Sequence, residues 1–477
     1  MILKKVILCI LILCLVTLPL NFPVRAAEER TVFYLDYGDV KIGSDGVSGY
    51  DENGKLVSEI NTVGYTVTQK NSQKALERSI SITSGEQNVE IRNINIARKG
   101  ENDYAMCVLK TASAVITVTG ENHLKSGTYR AGLDIAIKAS AVINGDGVLY
   151  AESELEAGIG GGNGKSNGTL TINSGTIYAT GGTDGYSAGI GGGSSGKGGT
   201  ITINGGTIVA VGGLYAAGIG GGFLCNGGTI TINGGTVTAT GGTDGAGIGG
   251  GSGGNGGTIV INGGSVKAVT GGGADNIGNG NDCNTEFGGV HNSNGNTVSL
   301  LTVPIKDFKT VYQNGIDKAP IYSGHENDEN LYFYTDSAQN IATVYMSDES
   351  VRFLKYNIDG YEEIDPFPDS DDRFSEYLIL PDAEKISVDD GFTVEKENKN
   401  CRLFYNGSCI DSFEIVIRGD VNLDGELDGM DSVEAACIES GMLNGRLKFL
   451  LADVDSDGAV TAADIKALSD KGIASVN

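Results

Sequence analysis

Thr200-Ile201-Thr202-Ile203-Asn204-Gly205-Gly206-Thr207-Ile208-Val209-Ala210-Val211 is followed, after Gly212-Gly213, by Ala217-Gly218-Ile219-Gly220-Gly221-Gly222. Ile201 and Ile203 fall on one side of an extended chain and Thr200 and Thr202 on the other, the period-two pattern of a strand with one buried face. Beyond the Asn-Gly-Gly turn the alternation resumes, with Ile208 and Ala210 facing inward and Thr207 and Val209 outward. A glycine corner then leads to Ala217-Gly218-Ile219. Three short strands separated by glycine corners describe one coil of a parallel β-helix.

The unit recurs. Ala-Gly-Ile-Gly-Gly-Gly begins at Ala157, Ala188, Ala217 and Ala246, and a decayed copy runs from Ala274 to Gly278. The strands that begin at Thr169, Thr200, Thr229 and Thr258 lie 31, 29 and 29 residues apart. A period of this length marks stacked units, whereas a Gly/Ser linker does not hold Ile and Thr in register. Stacking at about 4.8 Å places equivalent residues in columns. The predicted core columns are Ile172, Ile203, Ile232, Ile261 and Ile159, Ile190, Ile219, Ile248, Ile277. Asn173, Asn204, Asn233 and Asn262 share one turn, where stacked amides hydrogen-bond along the axis. Thr171, Thr202, Thr231 and Thr176, Thr207, Thr236 are expected as outward columns.

The fold class expected is mainly β, a right-handed parallel β-helix with an appended β region and a small α-helical calcium-binding module. Residues 1–26 combine a basic start, an apolar run and Val24-Arg25-Ala26, the pattern of a signal peptide, so a secreted protein with no retained membrane span is expected. Residues 27–59 read as an N-terminal cap or first strand containing Thr31-Val32-Phe33-Tyr34-Leu35. The repeat domain spans 60–291, with less regular coils up to 156. Residues 292–417 lose glycine and gain Tyr, Phe, Asp and Glu, as a capping or appended β domain would.

A formal net charge of −26 leaves no basic stripe to displace counterions from phosphates, which excludes nucleic acid as a partner. Past the signal segment the cysteines Cys107, Cys225, Cys283, Cys401, Cys409 and Cys437 are too sparse for a disulfide scaffold and too scattered for a zinc site. Cys401 and Cys409 flank Asn406-Gly407 and are one candidate pair.

The clearest chemistry lies in residues 418–477. Asp420, Asn422, Asp424, Glu426, Asp428 and Asp431 occupy positions 1, 3, 5, 7, 9 and 12 of a loop with Gly425 at position 6. Asp453, Asp455, Asp457, Ala459, Thr461 and Asp464 repeat the order around Gly458. Alternate oxygens in a tight loop, with the carbonyl of position 7, suit a hard cation such as calcium, and carboxylates crowded this way repel until a cation joins them. Two ions are expected.

The duplicated Asp-x-Asn/Asp-x-Asp-Gly loop, with Asp at position 12 and no incoming helix before either loop, resembles a type I dockerin over about 418–474. The resemblance implies calcium-dependent binding to a cohesin module of a scaffoldin, hence a place in a cellulosome or related surface complex. Its cohesin contacts would come from Gly429, Met430, Ala462 and Ala463, which differ from the Ser-Thr pair common in dockerins. The second helix is expected to end at Lys471-Gly472. The Ala-Gly-Ile-Gly-Gly-Gly array is similar to glycine-rich β-helix repeats in surface proteins of gut and rumen Firmicutes, some labelled carbohydrate-binding.

Three readings of the β-helix stay open: a non-catalytic module binding plant cell-wall polysaccharide or serving adhesion, a polysaccharide lyase or glycoside hydrolase, and a structural spacer. Catalysis needs gathered acids, bases or a metal. The charged residues of 157–273 are Lys165, Asp184, Lys197, Asp244 and Lys267, and the two aspartates sit in Gly-Gly-Thr-Asp-Gly corners, where Asp forms turns. Glu152, Glu154 and Glu156, with His123, Lys125 and Arg130 nearby in sequence, are read as a charged exposed strand edge. No catalytic residue is assigned.

Overall fold

The structure is a computed structural model that describes residues 29–475 apart from 110, 318–319, 321, 324–328, 368–371, 375, 381–385, 387, 390, 398–399 and 425. Residues 1–26, whose sequence reads as a signal segment, and Gly425 therefore lie outside the described residues.

Three nine-stranded sheets form the walls of a β-solenoid. The first runs in parallel from Thr31–Tyr34 to Thr258–Ile261, and the third from Val40–Gly43 to Ile277–Gly278. The second has parallel strands from Asn95–Ala97 to Ser265–Val269, then two antiparallel strands, Asn330–Thr335 and Ser299–Pro304. Register is strict across the repeats: Thr200 to Ile203 pairs with Thr229 to Ile232, and Ile219-Gly220 with Ile248-Gly249. Each strand's inward residues are buried, so Ile172, Ile203, Ile232 and Ile261 form one core column and Ile159, Ile190, Ile219 and Ile248 another. Ile277, in the last coil, is only partly covered because no further coil lies beyond it.

The coil stack takes in Thr31–Tyr34, whose residues pair one for one with Tyr65–Thr68. A small hairpin, Gly49–Tyr50 with Leu56–Val57, closes this end, and Gly49 lies so near the Phe33 ring that any side chain there would meet it. The opposite end is closed by the loop around His291, which takes the place of a next strand beside Ile259 and Ile261. Asp336 holds that loop through Asn292 Nδ2 at 2.9 Å and Asn296 Nδ2 at 2.8 Å. The end of the solenoid is thus covered rather than left as a bare sheet edge.

Residues 299–417 supply two five-stranded sheets besides the capping strands, and Tyr345 Oη donates across them to Asp411 at 2.8 Å. Asp411 also receives Arg373 Nε and Nη2 at 2.7 and 2.8 Å, a buried bidentate pair. Cys401 and Cys409 are buried free thiols. They stand opposite Phe413 and Phe404, not each other, so the candidate bridge does not form. Three helices follow: α1 (Gly429–Glu439), α2 (Arg446–Ala452) and α3 (Ala462–Ser475). Ala435, Leu451 and Leu468 from these helices pack with Ile379 and Val416 of the last sheet in one apolar cluster.

Candidate functional site

The two acidic loops share one hydrogen-bond plan. In the first, Asp431 Oδ1 accepts Val421 N–H at 2.7 Å and Oδ2 accepts Asp428 N–H at 2.8 Å, while the Asp428 side chain caps α1 by accepting Met430 N–H at 2.7 Å. In the second, Asp464 Oδ1 accepts Val454 N–H at 3.0 Å and Oδ2 accepts Thr461 N–H at 2.9 Å. The carboxylate at position 12 thus ties the start of each loop to its end and sits in the first turn of the outgoing helix, where the dipole favours an anion. Burial raises the Asp464 carboxyl, but the bonds from Thr461 and Val454 outweigh it and hold the group below its ordinary range.

The second loop brings carboxylate oxygens of Asp453, Asp455 and Asp457 within 4.8 Å of one another. Desolvation, then the neighbouring carboxylates Asp457, Asp464 and Asp453, push the Asp455 carboxyl upward. Oxygen donors at positions 1, 3 and 5 in this proximity fit a divalent cation, with Ala459 able to offer only its carbonyl. In the first loop Asn422 Nδ2 instead donates to Asp424 Oδ2 at 2.8 Å, and Asp424 Oδ1 accepts Glu426 N–H. Asp420 is buried at the loop's start.

Two expectations about this segment are corrected. The second loop is entered from a helix, α2, where none was expected: Arg446 to Ala452 carries Leu447, Leu450 and Leu451, which face the module's apolar cluster. Helix α3 continues past Lys471-Gly472 to Ser475, a single glycine being a tolerable loss in a helix already anchored by Leu468. Gly429, Met430, Ala462 and Ala463 are all exposed on the first turns of α1 and α3, with Met430 56% and its helix neighbour Val433 52% accessible.

The asparagine column is an unbroken amide chain. Asn262 Nδ2 donates to Asn233 Oδ1, Asn233 to Asn204, Asn204 to Asn173 and Asn173 to Asn144, at 2.7, 2.7, 2.7 and 2.8 Å. Asn144, its first member, is not among the four expected, because Val142-Ile143-Asn144-Gly145 reads as one of the strands set at irregular intervals before residue 157. Its place before a glycine turn, like Asn204, was the available signal. On the second sheet the column of Thr176, Thr207 and Thr236 is not an open face: Thr207 and Thr236 are buried at 5% and 6% exposure. Thr171, Thr202 and Thr231 stay half-exposed on the first sheet.

The triplet Glu152, Glu154 and Glu156 is also not uniform. Glu152 and Glu154 are exposed, whereas Glu156 is 1% exposed and accepts Ser194 N–H at 2.8 Å and Ser187 Oγ–H at 3.1 Å. Register explains it, since Glu156 precedes Ala157 as Ser187 and Ala216 precede Ala188 and Ala217, and all of these are buried. Burial raises the Glu156 carboxyl. Asp134, 3% exposed and 3.3 Å from Arg130 Nη1, is likewise raised by burial. Asp134 pairs in register with Cys107, whose buried thiol is pushed up by the same desolvation. Asp184 is exposed in its corner, and Asp244 Oδ1 accepts Asn281 Nδ2 at 3.0 Å, a loop-fastening role.

Two aromatic groups of the solenoid lie outside its core. His123, Tyr150 and Tyr178 are register partners on the second sheet and stack at 4.5 and 4.9 Å with near-parallel planes. Tyr186, Tyr215 and Phe223 cluster at 5.2 to 5.6 Å on the following corner.

A family model described as a beta helix repeat matches residues 170–194, 201–223 and 230–252. These are the coils with the strictest register. No curated protein and no solved structure matches the chain. No described helix is long and apolar enough to cross a membrane.

Proposed function

We propose that this chain is an exported surface or cellulosome component that docks through its C-terminal module on a cohesin of a scaffoldin, in a calcium-dependent manner, and presents a non-catalytic β-helix to plant cell-wall polysaccharide. The observation that carries the attachment is the convergence of Asp453, Asp455 and Asp457 in a loop whose hydrogen-bond plan, a bond spanning ten residues, occurs in both loops, at Val421/Asp431 and Val454/Asp464. Asp453, Asp455, Asp457, Thr461 and Asp464, with the Ala459 carbonyl, would hold one ion. Asp420, Asn422, Asp424, Asp428 and Asp431, with Glu426 at position 7, would hold the other. The ions would neutralise the crowded carboxylates and fix the exposed first turns of α1 and α3, where Gly429, Met430, Ala462 and Ala463 present a small apolar docking face.

For the solenoid, the binding reading is supported by the registered, capped coil stack and its half-exposed aromatics. The two carboxylates that burial raises, Asp134 and Glu156, are covered by packing and cannot reach a polymer as acid or base.

Two measurements on the full chain test this. Capture by a panel of immobilised cohesins should need calcium and reverse with chelator, and Asp424→Ala with Asp457→Ala should abolish it. Retention on insoluble cellulose, xylan or pectin should occur without release of reducing or unsaturated ends. Release of such ends would favour an enzyme, and no retention would favour a spacer.

A further inference from the structure

At the corner where the second sheet turns toward the third, successive coils leave a groove of about 510 Å³, within the roughly 300–1,000 Å³ of ligand sites. Its lining includes Arg98, Lys99, Lys125, Glu152, Glu154 and Thr180. The three cations are already paired. Arg98 Nη2 meets Asp103 at 2.8 Å, Lys99 Nζ meets Glu77 at 3.3 Å and Lys125 Nζ meets Glu152 at 3.8 Å. Glu154 accepts the Thr128 hydroxyl at 2.9 Å. Arg98 Nε, shielded from solvent, has no hydrogen-bond partner among the described residues.

Beside the groove the outward face of the second sheet changes from charged and polar to apolar along the stack. Lys125, Glu152, Thr180 and Val211 form one column by register, and His123, Tyr150, Tyr178 and Val209 form the next. Val211 is 37% exposed. The stacked rings use their faces on one another up to Tyr178, whose next register partner is Val209, not a ring. Tyr178, Val209 and Val211 therefore make a small apolar step adjoining paired charges.

We infer that this groove binds an uncharged oligosaccharide, a conclusion that rests on the polysaccharide-binding reading above and gives it a place and a sugar class. A sugar hydroxyl both donates and accepts, so it bridges a Lys–Glu or Arg–Asp pair without stranding either charge, and the C–H face of a pyranose covers an apolar step. A polyuronate would bring anions toward Glu77, Asp103, Glu152 and Glu154 and would have to displace the partners of all three cations.

The test is binding of the full chain to soluble cello-, xylo- and manno-oligosaccharides and to oligogalacturonate, measured by calorimetry, with retention on the parent insoluble polymers measured in parallel. Tyr178→Ala, and separately Lys125→Met with Glu152→Leu, should weaken the neutral ligand about tenfold or more, while Thr202→Ala on the first sheet leaves it unchanged. Thermal melts of each variant within a few degrees of the parent show that the fold is kept. A parent protein that binds a neutral sugar with no loss in either variant places the site elsewhere and overturns this inference alone. Preference for oligogalacturonate overturns the sugar class. A parent protein that binds no polymer, soluble or insoluble, overturns the polysaccharide reading itself.

Discussion

Gly220 stands at the third-sheet corner of its coil with φ of +138°, and a Cβ built on it would lie 2.0 Å from the carbonyl oxygen of Gly249 in the next coil. That oxygen already accepts Gly221 N–H at 2.9 Å. Gly220→Ala must therefore push two coils apart at a buried corner, stranding at least one backbone pair at about 1–3 kcal/mol, and must also hold a β-carbon at a positive φ for about another 1–3 kcal/mol. A loss on the order of 4 kcal/mol is expected. Gly164, with φ of +66° and nothing within 4 Å of its virtual Cβ, is the control, and alanine there should lose only about 1 kcal/mol. Guanidinium unfolding followed by far-UV circular dichroism compares the two. Because a solenoid need not unfold in one step, the transition midpoint of the coil signal is the quantity to compare. Should the midpoint for Gly220→Ala fall no further below the parent than that for Gly164→Ala, close coil approach is not what the glycine column serves.

Asn204→Ala removes its bonds to Asn173 and Asn233 and should lower stability by about 1–2 kcal/mol, less than the glycine change, in the same unfolding assay. Asp411→Ala leaves the Arg373 guanidinium buried without its carboxylate. A loss of about 3–5 kcal/mol is expected in the transition of the appended sheets, read by near-UV signal from their tyrosines. Glu156 is raised by burial, so the native state holds more protons between the unfolded and native pKa values, and its contribution is present at low pH and lost as pH rises through the native value. Melting temperature should therefore fall less on going from mildly acidic to neutral pH in Glu156→Gln than in the parent, and equal slopes would show that the buried carboxyl carries no such linkage.

Where the repeat is strict, local pattern and fold agree: Ile203, Ile219 and Asn204 each face the side that alternation assigns, because the pleat leaves two choices and burial of isoleucine decides between them. Outside that register the pattern loses its force. Thr207 alternates outward yet is buried, since alternation says which way a side chain points but not what covers it. Glu156 reads as part of an exposed acidic run with Glu152 and Glu154, whereas its position ahead of Ala157 places it in a covered column. The Cys401 and Cys409 spacing suggests a hairpin pair, but a turn that pairs Tyr405 with Ser408 sets Cys409 against Phe404 and carries Cys401 further along the hairpin, against Phe413. The acidic loops were legible because alternate oxygens and a glycine leave a signature in chain order. The corner groove was not, since Arg98, Lys125, Glu152 and Thr180 come from four successive coils and meet only when these stack.

Calorimetric titration of the full chain with calcium, run beside cohesin capture on the same samples, bears most directly on the attachment. Saturable heat for two ions, halved or lost in Asp457→Ala, with capture that disappears when chelator is added, is the expected result. Absence of any binding heat, or capture that persists unchanged in chelator, would contradict it.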